Sequence, residues 1–183
     1  MYEKFIDNPD MDSISSVYRS KALGYYDTVV RSNSFSKDVS LLKAQVFNNI
    51  SGIYIRDSAY ADAEEYTRRS LEIKKRLGDK LSLAFGYNAL SNIHFFKNEY
   101  QESKKALSLG LKSIKNIKGK KADEIRAGLL LNMAYSMYKL KDYKAYDFQE
   151  ESWDLYDKIR NLENQQKIAD IYADRNFDRG LQE

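Results

Sequence analysis

Cysteine is absent from this 183-residue chain. That excludes disulfides, thiolate nucleophiles and cysteine-held metals. Proline occurs once, as Pro9, so no later helix is broken from within by a proline ring. Histidine also occurs once, as His94, and no His/Glu spacing suited to a metal accompanies it. No glycine-rich phosphate loop is present: Gly119-Lys120 has neither the upstream glycine nor the following Ser/Thr. Acids such as Asp154 and Asp157 share a helix face, but no acid-dense loop joins them, and exposed helix surface explains them. No apolar run reaches the ~18 residues that a spanning helix needs. The opening Met1-Tyr2-Glu3-Lys4-Phe5 has no signal-like apolar stretch. These absences leave no parts for catalysis, so no enzyme activity, cofactor or metal is expected. The expected chain is soluble, and cytosol and periplasm fit it equally.

What the chain does have is 43% hydrophobic residues, enough for a core, and a phrase that occurs three times. It reads Asn-Asn-Ile-Ser-Gly-Ile-Tyr-Ile at 48–55, Asn-Ala-Leu-Ser-Asn-Ile-His-Phe at 88–95 and Leu-Asn-Met-Ala-Tyr-Ser-Met-Tyr at 131–138. The equivalent residues Ile50, Leu90 and Met133 lie 40 and 43 residues apart. A tyrosine follows each copy at the same distance: Tyr60, Tyr100 and Tyr143. A period of this length predicts stacked supersecondary units rather than one globular core. Apolar spacings of three and four predict two amphipathic helices per unit. In the middle unit Phe85, Leu90, Ile93, His94 and Phe96 mark the first helix. Tyr100, Ala106, Leu107, Leu109, Leu111 and Ile114 mark the second. His94 fills a slot held elsewhere by tyrosine or methionine, which reads as packing.

Helix boundaries are written in the linkers. Gly78 is placed to end a helix in the left-handed region, and Asp79 to cap the next. Gly119 is expected to end its helix in the same way. Arg56-Asp57-Ser58-Ala59, Lys97-Asn98-Glu99 and Lys141-Asp142 are expected to be tight turns between antiparallel helices.

Together these residues resemble the tetratricopeptide repeat (TPR). Phe47, Tyr87 and Leu130 open the motif, and Ile50, Leu90 and Met133 follow. Small residues come next (Ser51, Ser91, Ala134), then Tyr54, His94 and Met137, then the turn tyrosine. Ala63 and Ser103 occupy the small slot of the second helix. Tyr146 departs from it, with Ala145 adjacent. The resemblance covers roughly residues 37–160 and implies an all-α, right-handed α-solenoid of antiparallel helix hairpins. The expected organisation is a partial repeat or cap over 1–36, with a helix at 11–32. Repeats follow over 37–78, 79–119 and 120–161, then a C-terminal helix or linker over 162–183. The Leu77-Gly78-Asp79-Lys80 linker and the stretch 165–174 resemble the TPR region of Bacteroidetes-type bacterial signalling and regulatory proteins. The acidic 174–178 departs from that group's usual lysine- and glutamate-rich run.

The resemblance implies protein or peptide binding on a concave face lined by the first helices. Positions opposite the packing stripe are Asn48 and Arg56 in the first unit. In the second they are Asn88, Asn92, Phe95 and Phe96, and in the third Tyr135, Tyr138 and Lys139. Asparagine pairs with a peptide bond whatever the side chain, because it both donates and accepts. The aromatics suit apolar side chains, and Arg56 or Lys139 suits a carboxylate. The alternative for the asparagines is a bond to a neighbouring helix.

The net charge of +3 is unevenly spread. Residues 104–121 hold seven lysines and no acid, whereas 142–183 hold eleven acids against six basic residues. Solvated faces are the ordinary reading. The sharper one is an electrostatic contact: an acidic ligand on the lysine helix, or self-association of the basic second repeat with the acidic third. A peptide-pheromone or small-molecule receptor is a further alternative. Nucleic acid is disfavoured, since the lysines have no arginine support or recognition motif.

Overall fold

The computed structural model describes residues 36–180 and Gly24, with the backbone alone described for 171–180. The partial repeat or cap expected over 1–36, with its helix at 11–32, falls outside the described residues except at Gly24 and Ser36. So do residues 181–183. All the regular structure described is helical: α1 (Lys37–Arg56), α2 (Tyr60–Leu77), α3 (Lys80–Phe96), α4 (Tyr100–Ser113), α5 (Lys120–Lys139) and α6 (Ala145–Gly180). Among the described residues there is no strand, and no helix is long and apolar enough to cross a membrane. The all-α class expected from the sequence is therefore the class observed.

The helix ends follow from local chemistry. Ser36 accepts from the Val39 amide and Asp79 from the Ser82 amide, at 3.3 and 3.1 Å, so each side chain satisfies an otherwise orphaned N–H. Gly78 ends α2 at φ 69°, the left-handed conformation that costs glycine least. Three non-glycine residues, Ser58, Asn98 and Lys141, take φ of 56, 61 and 58° in the three helix–helix turns. The next amide in each donates five residues back: Ala59 to Tyr54, Glu99 to His94 and Asp142 to Met137, at 2.9, 2.8 and 2.9 Å. One backbone solution thus closes three turns of different sequence.

Gly119 does not end α4. That helix stops at Ser113 with Ile114 as its cap, and Gly119 precedes α5 at φ 112°, ψ 163°. The end of α4 is closed by the Ile114 amide, which donates to the Leu111 and Lys112 carbonyls. From α5 the Arg126 guanidinium donates to the Ile114 and Ile117 carbonyls at 3.1 and 3.0 Å and so holds the connecting segment.

Two compact units divide the chain, with the boundary inside α3 between Gly86 and Tyr87. In the first, α1 and α2 pack around Ala44, Val46, Phe47, Ile50 and Ile73. Tyr66 stacks on Tyr54 and tilts against Phe47, with ring centroids 5.5 and 5.9 Å apart. Small hydroxyls hold the helices close: Ser51 and Thr67 share a buried hydrogen bond of 2.7 Å, and Ser70 donates to the Ala44 carbonyl at 2.7 Å. Gly86 meets α2 so closely that a Cβ there would lie 2.7 Å from Leu71 Cδ2.

The second unit buries Leu90, Ile93, Leu107, Leu129, Leu130, Met133 and Met137. Ser103 and Ser136 join α4 to α5 at 2.8 Å, and Ser152 donates from α6 to the Ala127 carbonyl at 2.9 Å. At the start of α6 it is Ala145 that is buried, whereas Tyr146 is 64% exposed. Tyr143 does not open a helix as Tyr60 and Tyr100 do. Asp142 accepts from the Lys144 amide at 3.1 Å, and this side-chain turn delays α6 to Ala145. Residues 162–180 continue α6 without a break.

Candidate functional site

The second unit gathers four of the expected ligand-facing residues into one place. Phe95, Tyr135, Tyr138 and Lys139 line a cleft of about 320 Å³, together with Ala134, Ala145, Tyr146 and Gln149. A neighbouring cleft of about 390 Å³ shares Tyr138, Lys139, Ala145 and Tyr146, and adds Lys141, Asp142 and Tyr143. Buried Ala134 and Ala145 contribute no more than a methyl group each, and their size is what leaves room between α5 and α6. Tyr135, Tyr138 and Tyr146 are 55, 65 and 64% exposed. Phe95 is half-buried, its ring edge-on to Tyr100 at 5.3 Å and to Phe96 at 6.4 Å. Lys139 is exposed and has no ion pair among the described residues.

An amide cluster joins α3 to α5. Asn132 Nδ2 donates to Asn88 Oδ1 at 2.8 Å and to Asn92 Oδ1 at 3.2 Å. One amide donor therefore serves both oxygens, and the Nδ2 groups of Asn88 and Asn92 are left to donate elsewhere. Asn132 was not singled out in the sequence. It sits one residue later in its phrase than Asn88 and Asn48 do in theirs, and no spacing rule aims it at α3.

The remaining candidates line neither of these two clefts. Asn48 and Arg56 belong to the first unit, Arg56 exposed at the end of α1. Asn48 Oδ1 is buried without a hydrogen-bond partner among the described residues. Such an acceptor is costly to leave unpaired. Phe96 is 52% exposed. Cleft residues that sequence reasoning missed include Lys141, Asp142, Tyr143, Tyr146 and Gln149. Tyr146 did give a signal, as the misfit in the small-residue slot.

His94 is buried, and its Nδ1 lies 2.7 Å from Glu99 Oε2. Lys97 pairs with the other carboxylate oxygen at 2.9 Å. Hydrogen bonds from Lys97 and then His94 hold the Glu99 carboxyl below the usual range. The contact ties α3 to the start of α4 across the turn.

No protein-family model matches the chain, and no curated protein does. Among solved structures, it is similar to BtubC (BKLC) from P. vanneervenii. The TM-score is 0.45 at 13% identity, over 87% of this chain and 75% of that one. Likeness at that level carries no functional information.

Proposed function

We propose that this chain is a TPR-like α-solenoid of about three repeats that recognises an extended peptide or protein segment. It serves as the sensory or interaction region of a bacterial signalling or regulatory protein, and works by binding alone. The observation that carries this reading is the aromatic cleft of the second unit, with amide donors in the same unit that have no partner among the described residues. Tyr135, Tyr138 and Tyr146 offer large, rigid apolar contact at low entropic cost. Asn88 and Asn92, their oxygens taken by Asn132, offer N–H groups to peptide carbonyls. Lys139 is positioned to hold a carboxylate.

An arrayed library of short fluorescent peptides, with free and blocked C-termini, tests this. The chain is expected to bind a subset carrying aromatic or branched apolar side chains. Asn92→Ala combined with Tyr135→Ala is expected to weaken that binding at least tenfold, about 1.4 kcal/mol, with an unchanged circular dichroism spectrum. Retained affinity in the double variant would put the site elsewhere, and an array without a bound peptide would sink the reading. The cleft volumes also fall within the ~300–1,000 Å³ usual for small ligands. A thermal-shift screen of metabolites against peptides separates a small-molecule receptor from a peptide module.

A further inference from the structure

Two faces of the second unit take no part in the cleft, and their charges are opposite. On α4, Gln101, Lys104, Lys105, Ser108, Leu109 and Lys112 line a shallow groove of about 430 Å³. Their spacing of three and four puts them on one side of the helix. Lys104 reaches Asp142 at 3.6 Å and Lys105 reaches Glu102 at 3.2 Å. Lys112, and Lys115 just beyond the helix, have no ion pair among the described residues. Leu109 borders this basic stripe and is 47% exposed.

On α6 the outward side carries Asp147, Glu150, Glu151 and Asp154, all exposed and without an ion pair among the described residues. Trp153, 58% exposed, borders this acidic stripe as Leu109 borders the basic one. From Lys104 to Lys112 and from Asp147 to Asp154 the two stripes each run ~10–12 Å at the helical rise. Both face solvent, each opposite its own helix's packed side. Among the described residues, the pairs inside this unit that join distant parts of the chain, apart from Lys104–Asp142, use other groups: Lys120 with Glu163 at 2.7 Å and Lys158 with Asp123 at 3.0 Å. The unpaired charges are thus left for a partner.

We infer that the basic stripe of α4 docks on the acidic stripe of α6 in a second copy of this chain, with Leu109 and Trp153 packing at the edge. Each copy carries one stripe of each sign. The contact pairs unlike surfaces, and it closes a dimer or extends a chain according to the rotation between copies. Matching of four unpaired acids with a lysine stripe of similar length is the warrant, and it sets orientation as well as attraction. An unrelated acidic protein would satisfy the lysines but leave the acids of α6 unused.

The test is the mass of the full chain by light scattering at about 20 mM and about 500 mM salt, since surface charges are screened within ~10 Å near 0.1 M and more tightly above it. A dimer or larger species at low salt, reverting to monomer at high salt, is expected. Lys105→Glu with Lys112→Glu is expected to be monomeric at low salt, and so is Glu150→Lys with Asp154→Lys. Mixing the two reversed variants restores the α4–α6 match and is expected to restore association. All the changed residues are exposed, and circular dichroism checks that each variant is folded. A wild-type monomer at low salt, or reversed variants that fail to associate on mixing, would overturn the inference. Neither outcome bears on the peptide array, whose cleft residues are untouched.

Discussion

The hydroxyl of Ser152 donates to the main-chain carbonyl of Ala127 at 2.9 Å, from α6 to α5. Ser70 makes the corresponding bond to Ala44 at 2.7 Å in the first unit. Both serines are fully buried, so each marks a place where two helices come close enough for side chain to meet backbone. Ser152→Ala is expected to cost about 0.5–1.5 kcal/mol, the usual worth of such a bond. Ser152→Leu is expected to cost more, ~1–3 kcal/mol, because the closeness is itself the constraint. Urea unfolding of the two variants orders these effects; a leucine variant as stable as wild type would mean the helices are free to separate there.

Lys74 is 2% exposed, and its Nζ lies 5.9 Å from the centre of the Phe85 ring. Burial lowers its pKa to about 8, against the opposing pull of the Asp79 charge. A lysine depressed on folding binds its proton more tightly in the unfolded chain. Its contribution is therefore fully present above pH ~10.5, is lost as pH falls to about 8, and stays lost below that. Lys74→Met is expected to gain on the order of 2–3 kcal/mol at pH 7. It is also expected to remove the part of the alkaline stability rise that wild type shows between pH 8 and 10.5. Parallel denaturation curves across that range, wild type against variant, provide the check.

Ser58, Asn98 and Lys141 hold the left-handed turn position in three different chemistries. Asparagine tolerates this conformation, whereas a lysine Cβ there costs about 1–2 kcal/mol. Lys141→Gly is expected to raise stability by up to ~1 kcal/mol, net of the extra entropy of a glycine chain. Asn98→Gly is expected to be nearly neutral. Thermal unfolding should therefore separate the two glycine variants, and equal shifts would show that Lys141 carries no strain.

Asn132 supplies the single donor that holds the oxygens of Asn88 and Asn92. Asn132→Ala removes the donor and leaves the oxygens to water. Asn132→Asp replaces it with a third oxygen and a charge, and is expected to cost ~1–3 kcal/mol. The aspartate variant should also become more stable on acidification, as its carboxyl regains a proton to donate. A chemical-denaturation series from pH 7 to pH 4 distinguishes this from a general loss of packing, which would not recover with acid.

The helices and their turns were legible because they rest on local patterns. Apolar residues at spacings of three and four gave the helices. Asp79 and Gly78 gave a cap and a stop, while Asn98 and its counterparts gave tight turns. Gly119 misled because a sequence shows a glycine near a helix end, not that the helix already stops at Ser113 and that Arg126 holds the connecting segment from another helix. Tyr146 showed itself only as a misfit, and the side-chain turn at Asp142 turned that misfit into an exposed wall of the cleft.

By itself the sequence determined an all-helical chain, the places where it turns back on itself, and the opposite charges of its later segments. Each of these depends on residues within a few positions of one another, or on a simple count. Tertiary structure alone decided that Asn132 meets Asn88 and Asn92, that Lys74 is buried against Phe85, and that Phe95, Tyr135, Tyr138 and Tyr146 share a cleft. Those relations join residues tens of positions apart or depend on packing around them. They are fixed by how closely the helices pack, which small side chains such as Ser152, Ala145 and Gly86 permit and no local pattern specifies.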